Sequence, residues 1–414
     1  MNELFTVLPP GEAFASLGRV CSRIERTEIV ALEAGLGRVL AEDFVARETL
    51  PSFARSTMDG YAVRAVDTHG ASEQSPAYLR LVDDVPTGAV PAVAVGARQA
   101  VRTHTGAMIP PGADAVVMVE DTSLHGDEVE VLDAAAPGEN VLTVGEDVLA
   151  GAVAIPAGRR LGAAELGGLA ALGMTRIVVR ARPRIAILST GDEVVAAGAT
   201  PGPAQVRDVN GTTVAAVVAQ AGGVAVPLGI VPDDAAELER ALRAALADAD
   251  AVVLSAGSSV SVRDLTAQVV ARLGAPGVLV HGIAIKPGKP TVLALCDGTP
   301  VVGLPGNPAS ALVVARRIVR PLVRLLGGER VDDDGLGDER ETSALLDVPL
   351  PSRPGREDFV PCTLARDAAG ALHATPVFGA SNLIFTLIRA DALIAVPLDR
   401  SGLAAGETVR VIVP

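Results

Sequence analysis

The sequence predicts a multidomain protein of α/β and β architecture, centred on an α/β domain with a mainly parallel sheet. Its 414 residues suggest about two to four domains. Predicted strands alternate with predicted helices over 183–328, the pattern that βαβ units produce. Short strands separated by Gly and Pro fill 51–145 and 343–414, which predicts one inserted and one terminal β domain.

Composition excludes several classes of function. The formal net charge is −14, whereas nucleic-acid-binding proteins present a basic face and anionic membranes attract basic segments. Residues 1–14 lack the basic and apolar regions of a signal peptide, and no run of about 18 apolar residues is free of charges and helix breakers. The isolated Cys21, Cys296 and Cys362 suit free thiols in a reducing compartment. We therefore expect a cytoplasmic protein without nucleic-acid or membrane partners.

Apolar periodicity predicts that the N-terminal region is helical. Helices are expected over 11–23 and 31–45, on either side of a short strand at 28–30, and Pro51 ends this pattern. A further helix over 162–172 would pack back on the first ones and make the N-terminal domain discontinuous. Strands of the inserted domain are predicted at 61–63, 78–82, 99–103 and 115–119.

The α/β region contains start signals for its helices. Asn210 is predicted to cap a helix that ends at residue 220, and Asp234 begins a capping box. Asn307-Pro308 is predicted to open the last helix, with Asn as the cap and Pro in the first turn. Another helix is expected over 264–273. Buried strands are predicted at 184–189, 224–229, 251–255 and 301–304.

The loops that follow three of these strands are predicted to line one site, because ligands of parallel sheets bind beyond the carboxyl ends of the strands. These loops are 189–193, 255–264 and 304–308. Beyond the α/β region, the acidic, Gly-rich stretch 327–341 is predicted to be a linker. The terminal domain follows it, with strands expected at 393–396 and 408–413.

Lysine usage points to an anion site. The chain has 35 basic residues, of which only Lys286 and Lys289 are lysines, and both lie within 285–290. A genomic preference for Arg explains why Lys is rare, but it does not explain why both lysines share one loop. A compact ammonium differs chemically from a planar guanidinium. We therefore predict that the two lysines bind an oxyanion, most simply phosphate.

Polar turns follow the predicted strands, and each has a structural alternative. Ser189-Thr-Gly-Asp-Glu193 would hold a metal or accept donor groups, or would be a solvated turn. Residues 255–264 offer hydroxyls and a Gly before a helix N-terminus, either as an oxyanion cradle or as a capping loop. Residues 304–310 repeat that arrangement. Three further turns, 57–61, 103–107 and 145–147, look ordinary when each is taken alone.

Six segments together resemble the MoeA/gephyrin E-domain family. They occur in the family's order and span nearly the whole chain, so they are specific as a set although each is weak alone. The first contains Ser56-Thr-Met-Asp-Gly-Tyr-Ala-Val-Arg64. The segments are 51–64, 105–117, 145–147, 189–193, 285–290 and 304–310. The resemblance implies a molybdopterin molybdenumtransferase, a transferase of molybdenum cofactor biosynthesis.

The resemblance implies four domains. They are an elongated helical N-terminal domain of 1–50 plus 146–182, an inserted β domain of 51–145, a MogA-like three-layer molybdopterin-binding α/β domain of 183–328, and a C-terminal β-barrel of 340–414. It also implies a homodimer whose site lies between the α/β domain of one subunit and the inserted domain of the other. Further implied partners are a MogA-type adenylyltransferase and molybdoenzyme apoproteins.

The implied reaction uses adenylylated molybdopterin and molybdate. Molybdenum enters the dithiolene, the pyrophosphate link is cleaved, AMP leaves, and Mg²⁺ or a similar cation assists. The resemblance assigns catalytic roles to Asp59, Thr105, Asp147, Glu193 and Asp264, of which the first three would act from the partner subunit. The implied metal ligands are Asp192, Glu193 and Asp264. The implied substrate-binding residues are Ser189, Thr190, Gly191, Asp192, Asp233, Ser255, Gly257, Ser258, Ser259, Lys286, Lys289, Pro305 and Gly306.

Two departures from the family pattern leave an alternative function open. The family usually shows Ser-Gly-Gly-Val-Ser where this chain has Ser255-Ala-Gly-Ser-Ser259, and a Lys seen in some members is Gly282 here. These departures favour a non-catalytic paralogue that binds molybdopterin or the molybdenum cofactor. The retained acidic residues and lysines favour the enzyme. An adenylyltransferase alone would explain only 183–328.

Overall fold

The structure, a computed structural model, describes residues 7–256, 260–332, 335 and 340–413, with side chains outside 260–264. Its contacts divide the chain into two units. The first unit combines Met1–Glu42, Gly158–Leu166 and Thr175–Pro414. The second unit combines Asp43–Ala157 and Gly167–Met174.

The N-terminal segment contributes one helix and one strand to the first unit. Helix α1 (Pro10–Gly18) begins with Pro at its first position, as the fixed φ of proline favours. It buries Phe14 and Leu17 in the same core as the α/β sheet, rather than in a separate helical domain. Strand β1 (Thr27–Ala31) confirms the strand predicted at 28–30.

The helix predicted over 31–45 is wrong. This segment forms one short 3₁₀ turn, Leu32–Gly35, and its backbone amides bond to distant residues instead of to the preceding turn. Leu32 donates to Thr175, and Leu40 donates to Arg159. Two glycines in this segment weaken a helix. The apolar residues of the segment therefore lie in alternating turns and bridges, although their spacing resembles that of a helix. The predicted elongated helical domain is therefore not confirmed in the described residues.

The second unit contains a six-stranded sheet with the order β7-β4-β6-β5-β9-β8. The predicted strands of the inserted domain are confirmed within it, and they carry the valines and alanines of its core. Short two-stranded ribbons flank this sheet. The strands of 43–157 are β2 (Phe44–Val45), β3 (Arg55–Ser56), β4 (Gly60–Val63), β5 (Ala77–Val85), β6 (Gln99–Thr103), β7 (Ala115–Met118), β8 (Thr122–His125), β9 (Glu128–Val131), β10 (Val141–Leu142) and β11 (Val153–Ile155).

Helix α2 (Ala163–Ala171) confirms the helix predicted over 162–172. Strand β12 (Arg176–Arg180) then pairs antiparallel with β1. The next elements build the α/β domain. Its strands are β13 (Arg184–Thr190), β14 (Val194–Val195), β15 (Val206–Arg207), β16 (Val224–Val231), β17 (Ala251–Ala256), β18 (Pro276–His281), β19 (Ile285–Lys286), β20 (Val292–Cys296) and β21 (Thr299–Pro305). Its helices are α3 (Asn210–Gln220), α4 (Ala235–Asp248), α5 (Val260–Val270), α6 (Pro308–Val314) and α7 (Arg320–Leu326), the last two joined by a π-helical turn, Ala315–Val319.

The α/β sheet has the order β16-β13-β17-β21-β20-β18. Its first four strands are parallel to one another, and only β20 runs in the opposite direction, so that it pairs antiparallel with β21 and with β18, which confirms the mainly parallel sheet. Because side chains alternate along a strand, Ile185 and Ile187 enter one core while Ala186 and Leu188 enter another. Helices α3, α6 and α7 cover the first face, and α4 and α5 cover the second. The three-layer arrangement is thereby confirmed.

The C-terminal region forms a closed five-stranded barrel, because β24-β25-β22-β28-β26 is completed by pairing of β26 with β24. This confirms the predicted barrel. Its Phe359 and Leu393 belong to the core that includes α1 and α3, so the barrel and the α/β domain share apolar packing. The elements are β22 (Arg340–Leu346), β23 (Leu350–Pro351), β24 (Glu357–Arg366), β25 (Leu372–Pro376), α8 (Ile384–Ile388), β26 (Ala392–Val396), β27 (Gly402–Leu403) and β28 (Thr408–Val413).

The cysteines are free thiols, as predicted. Cys296 and Cys362 are buried, and burial raises the pKa of Cys362 to about 12. Burial also raises the pKa of Cys21 to about 12, so these thiols are poor nucleophiles at neutral pH. In the part of the chain that the structure describes, no helix has the length and apolar character needed to span a membrane.

Candidate functional site

The carboxyl ends of the central parallel strands meet at one edge of the sheet. The register pairs Ser189 with Ser255, and Ser255 with Leu304, across three adjacent strands. Thr190 pairs with Val231 on the fourth strand. The three strands β13, β17 and β21 therefore end at one edge, while a single site lined by loops 189–193, 255–264 and 304–308 stays a prediction.

Two of the predicted hydroxyls at this edge are joined by hydrogen bonds. Ser255 Oγ donates to Ser189 Oγ at 3.3 Å, and Ser189 Oγ donates to Asp208 Oδ2 at 2.8 Å. The other oxygen of Asp208 accepts the Gly211 amide at 2.8 Å, in the first turn of α3. Asp208 therefore fixes the hydroxyls relative to a helix start.

Three carboxylates form an acidic rim beside these hydroxyls: Asp192, Glu193 and Asp233. The Asp233 amide donates to Asp192 Oδ1 at 3.2 Å, and the Gly191 amide donates to Val231 O at 3.4 Å. Asp192 and Glu193 are exposed. Partial burial raises the pKa of Asp233 above its ordinary value, and the negative charges of Asp192 and Glu193 raise it further. The rim is therefore a place of concentrated negative charge.

Part of the predicted site falls outside the described residues. Gly257, Ser258 and Ser259 are among the residues that the structure does not describe, and for Asp264 it describes only the backbone, within α5. Helix α5 begins at Val260, four residues before its predicted start. Among the described side chains, no cluster of three or more His, Cys, Asp or Glu residues is suited to a metal ion.

The lysine loop joins the C-terminal barrel through its backbone. Strand β19 pairs parallel with β24, which places Ile285 opposite Glu357 and Lys286 opposite Asp358. Lys286 Nζ lies 3.6 Å from Asp358 Oδ2. Asp358 is only 2% exposed, and it also accepts a hydrogen bond from Arg356 Nε at 2.8 Å. One buried carboxylate thus holds an ammonium and a guanidinium beside each other.

The turn between the two lysines requires glycine. Gly288 has a φ of +124°, and a Cβ at this position would lie 2.4 Å from Val314 Cγ2. The Lys289 carbonyl accepts the amides of Ile283 and Thr291, both at 2.9 Å. Lys289 and Lys286 are both exposed. The backbone of the turn is therefore fixed, while both ammonium groups are accessible to a ligand.

A cavity of about 780 Å³ lies between this loop, the end of β21 and the C-terminal barrel. Pro305 and Gly306 line it, together with both lysines. The charged residues among its described lining are Lys286, Lys289, Arg356 and Asp358. Three cations against one carboxylate give the cavity a positive potential within a chain whose net charge is −14. Its charge and its size suit an anionic organic molecule.

Two asparagines that were predicted to cap helices hold the loops around this cavity through their side-chain amides. Asn210 Nδ2 donates to the carbonyl of Gly306 at 2.8 Å, and Asn307 Nδ2 donates to Ser381 Oγ at 3.0 Å. Neither side chain makes a capping hydrogen bond. Asn307 nevertheless occupies the cap position of α6, as predicted, whereas Asn210 is the first residue of α3 and follows its cap residue, Val209. Pro308 does occupy the first turn of α6, and Asp234 caps α4 by accepting from Ala236 and Glu237, as predicted.

In the second unit, Asp59 and Thr105 lie in direct contact. Asp59 Oδ1 accepts the Thr105 amide at 2.7 Å and the Thr105 hydroxyl at 3.0 Å. These two hydrogen bonds lower the pKa of Asp59, with the Thr105 amide the larger cause. Asp59 is exposed, so it is an accessible carboxylate that stays ionised at neutral pH.

Asp147 lies elsewhere in the second unit. Strand β10 pairs with β3 so that Val141 is opposite Ser56, and the antiparallel pairing continues to a bridge between Leu50 and Val148. The Asp147 amide donates to Leu50 O at 3.1 Å. Asp59 follows Ser56 at the other end of this ribbon. The structure therefore joins Asp59 to Thr105, whereas the backbone amide of Asp147 contacts Leu50.

Sequence reasoning missed four residues that complete the site: Asp208, Arg356, Asp358 and Ser381. Asp208 directly follows the short strand β15, and nothing in the neighbouring sequence distinguished it from a solvated acid. Arg356 and Asp358 had a signal, since Gly355-Arg-Glu-Asp-Phe359 concentrates charge at the start of a predicted β region. Their approach to the lysines depends on the β19–β24 pairing, which the residues alone do not reveal.

Known protein families match along most of this chain. Residues 8–173 match the MoeA N-terminal region (domain I and II), residues 186–325 match a probable molybdopterin binding domain, and residues 343–413 match the MoeA C-terminal region (domain IV).

The chain belongs to the MoeA family.

Full-length relatives agree with this assignment. The chain is 36% identical to molybdopterin molybdenumtransferase 2 of Mycobacterium tuberculosis over 401 residues, covering 96% of each protein. It is 33% identical to molybdopterin molybdenumtransferase of Bacillus subtilis over 419 residues, covering 100% of this chain and 95% of the relative. A crystal structure of the molybdopterin biosynthesis MoeA protein from Pyrococcus horikoshii OT3 matches with a TM-score of 0.82 and 29% identity, covering 99% of this chain and 100% of that one.

Proposed function

We propose that this chain is a molybdopterin molybdenumtransferase. It takes molybdenum from molybdate, inserts it into adenylylated molybdopterin and releases AMP. The observation that supports this most strongly is the convergence of Lys286, Lys289 and Arg356 on one cavity of about 780 Å³. Both proposed substrates are anions, and the cavity provides cations and space in an otherwise acidic chain.

The two charged regions of the first unit have separate roles in this proposal. The ammonium groups of Lys286 and Lys289, with the Arg356 guanidinium, bind molybdate or phosphate oxygens and offset their negative charge. Molybdate must lose oxygens as its molybdenum is transferred, so groups that supply protons are needed beside these anchors. The hydroxyls of Ser189 and Ser255 and the carboxylates of the acidic rim bind polar groups of the pterin.

The acidic rim also suits Mg²⁺. Asp192 and Glu193 are exposed carboxylates, and their charges already raise the pKa of Asp233, so a divalent cation would relieve repulsion there. Mg²⁺ prefers oxygen ligands and usually takes one or two carboxylates together with water and substrate phosphates. When bound, it neutralises charge on the pyrophosphate link. Asp192 and Glu193, with Asp264, would hold it.

We also propose a homodimer, located in the cytoplasm, in which Asp59 and Thr105 of the partner subunit complete the site. Two features support this role for the pair. Asp59 is exposed and ionised, and among the described residues the hydrogen bonds to its side chain come from Thr105. A MogA-type adenylyltransferase that supplies the substrate, and molybdoenzyme apoproteins that receive the product, are proposed as transient partners.

The decisive assay mixes the purified chain with adenylylated molybdopterin, molybdate and Mg²⁺, and follows AMP release and formation of active cofactor. The enzyme releases AMP in proportion to the active cofactor formed. Stoichiometric pterin binding without AMP release would contradict the proposal and favour the non-catalytic paralogue. Omission of molybdate is the control, because it separates simple hydrolysis from coupled insertion.

A further inference from the structure

The cavity is much larger than the oxyanion that its cations would bind. Sites for drug-sized ligands occupy about 300–1,000 Å³, and the volume of about 780 Å³ falls within that range. The cations lie on the Lys286 loop and at Arg356. A different part of the lining is apolar and comes from the segment after β25, which includes Val377 and Phe378.

Phe378 is unusual within this chain. The sequence has no Trp, two Tyr and seven Phe, so aromatic side chains are scarce even in its cores. Phe378 is nevertheless 65% exposed while lining the cavity. A single exposed apolar side chain is common in proteins, but an exposed aromatic ring in the wall of a charged cavity offers a face to a ligand.

The segment that carries Phe378 is anchored on both sides. The Val377 amide donates to Pro361 O at 2.7 Å, and the Ala309 amide donates to Ser381 O at 3.0 Å. Ser381 Oγ also accepts from Asn307 Nδ2. The position next to Phe378 must be small, because a Cβ on Gly379 would lie 2.4 Å from the Thr386 hydroxyl. The backbone under Phe378 is therefore fixed, so little ordering entropy is lost when a ring stacks on it.

We propose that Phe378 is the platform on which a flat nitrogen heterocycle stacks while its phosphate is held by the cations of the same cavity. This inference rests on the proposed function, whose substrate contains two such heterocycles, a pterin and an adenine. Each is linked to phosphate, so the shared chemistry is a planar heteroaromatic ring with an anionic tail. Phe378 is a positioning and specificity residue of the site.

Phe385 provides a matched control. It is 68% exposed and lies on α8 in the same domain, but it is not among the described residues that line the cavity. The experiment measures binding by titration calorimetry with the full chain and three probes. These are AMP, a pterin monophosphate and ribose 5-phosphate, which retains a phosphate but has no heterocycle. The variants are Phe378→Ala, Phe378→Tyr and Phe385→Ala.

The wild-type chain is expected to bind at least one of the two heterocyclic probes more tightly than ribose 5-phosphate. Phe378→Ala should weaken that heterocyclic probe by about 5- to 100-fold, the loss found when a stacking aromatic side chain is removed. It should leave ribose 5-phosphate within about twofold, and Phe378→Tyr should restore the affinity, because the ring face is retained. Phe385→Ala should match the wild type. The probe that loses affinity identifies the ring, adenine or pterin.

Three outcomes would overturn the inference. These are equal effects of Phe378→Ala and Phe385→Ala, equal losses for AMP, the pterin and ribose 5-phosphate, and no gain in wild-type affinity from either heterocycle. The proposed function is tested separately, by turnover of a Lys286→Ala variant. If that variant is inactive while Phe378→Ala binds and turns over normally, the enzyme assignment stands and only the platform is lost.

Discussion

The carboxyl edge of the α/β sheet and the cavity beside the barrel carry opposite charge. At the edge, partial burial raises the pKa of Asp233, and the negative charges of Asp192 and Glu193 raise it further. The cavity is lined by three cations and one buried carboxylate, Asp358, which pairs with Lys286 and Arg356. This difference indicates a division of binding, with cations and hydrogen-bond donors of the substrate at the edge and oxyanions in the cavity.

A short stretch of chain connects the two regions. Asp208 accepts from Ser189 at the edge, and two residues later Asn210 donates to the Gly306 carbonyl at the cavity. The relative position of acids and bases is therefore fixed by the first turn of α3. Four substitutions test this division of charge, and the one expected to cost the most activity comes first.

Replacing Lys286 with Ala should cause the largest loss of turnover. An anchor that stabilises developing oxyanion charge contributes about 10²–10³ in rate, and Lys286→Ala should lose about that much. Lys286→Arg keeps the charge but not the compact ammonium, so it should recover only part of the rate. AMP release under saturating molybdate measures both. Arg240→Ala, on an exposed part of α4, is the control and should keep full activity. A fully active Lys286→Ala variant would show that the cavity does not take part in the reaction.

Replacing Asp358 with Ala should destabilise the protein and weaken anion binding. The carboxylate is 2% exposed and accepts from Arg356, and a hydrogen bond to a charged group contributes about 1.5–3 kcal/mol. The free energy of unfolding in urea should fall by about that amount. Because Arg356 and Lys286 lose their common anchor, phosphate affinity should fall as well. If a folded Asp358→Ala variant bound phosphate as tightly as the wild type, Arg356 and Lys286 would not need Asp358 to position them.

Replacing Asp233 with Asn should stabilise the protein in a pH-dependent way. The folded pKa of Asp233 is raised above its ordinary value of 3.8, so its ionisation opposes folding. This opposition is fully present above the raised pKa and disappears as the pH falls below about 3.8. The urea midpoint of Asp233→Asn should therefore exceed that of the wild type at pH 8, and the difference should vanish at pH 3. A gain that is independent of pH would point to packing instead of charge at the acidic rim.

Replacing Thr105 with Val should have the smallest effect. The backbone amide of residue 105 is the largest cause that lowers the pKa of Asp59, and it remains in the variant, whereas the hydroxyl is a smaller cause. The pKa of Asp59, followed by NMR of its carboxylate carbon, should rise towards 3.8. Asp59 stays ionised at neutral pH, so turnover should fall by less than about tenfold. A lower pKa in the variant would contradict the hydrogen-bonding account.

Much of the fold and part of the site could be predicted from the sequence. Strands such as β13 and β17 are continuous apolar runs, and the polar residues that follow them mark the edge of a parallel sheet. The lysine pair was visible because Lys occurs nowhere else in the chain. These features are local, so short segments of sequence contain them.

The remainder depends on contacts between distant segments. Arg356 and Asp358 approach the lysines through the pairing of β19 with β24, and Asn210 lies inside α3, where its side chain donates to Gly306 instead of capping the helix. The segment 31–45 has helical spacing but bonds to 159–178. In each case a contact with a distant segment fixes the position of the residue, and no local sequence pattern contains that contact.

The most direct test that the cations of the cavity bind the oxyanion is a crystal structure of the chain soaked with molybdate or tungstate, with the metal located by anomalous scattering. We expect an anomalous peak in the cavity, with oxyanion oxygens within hydrogen-bond distance of Lys286, Lys289 and Arg356. A peak at another place, with the cavity lacking any anion at the same soaking concentration, would contradict it.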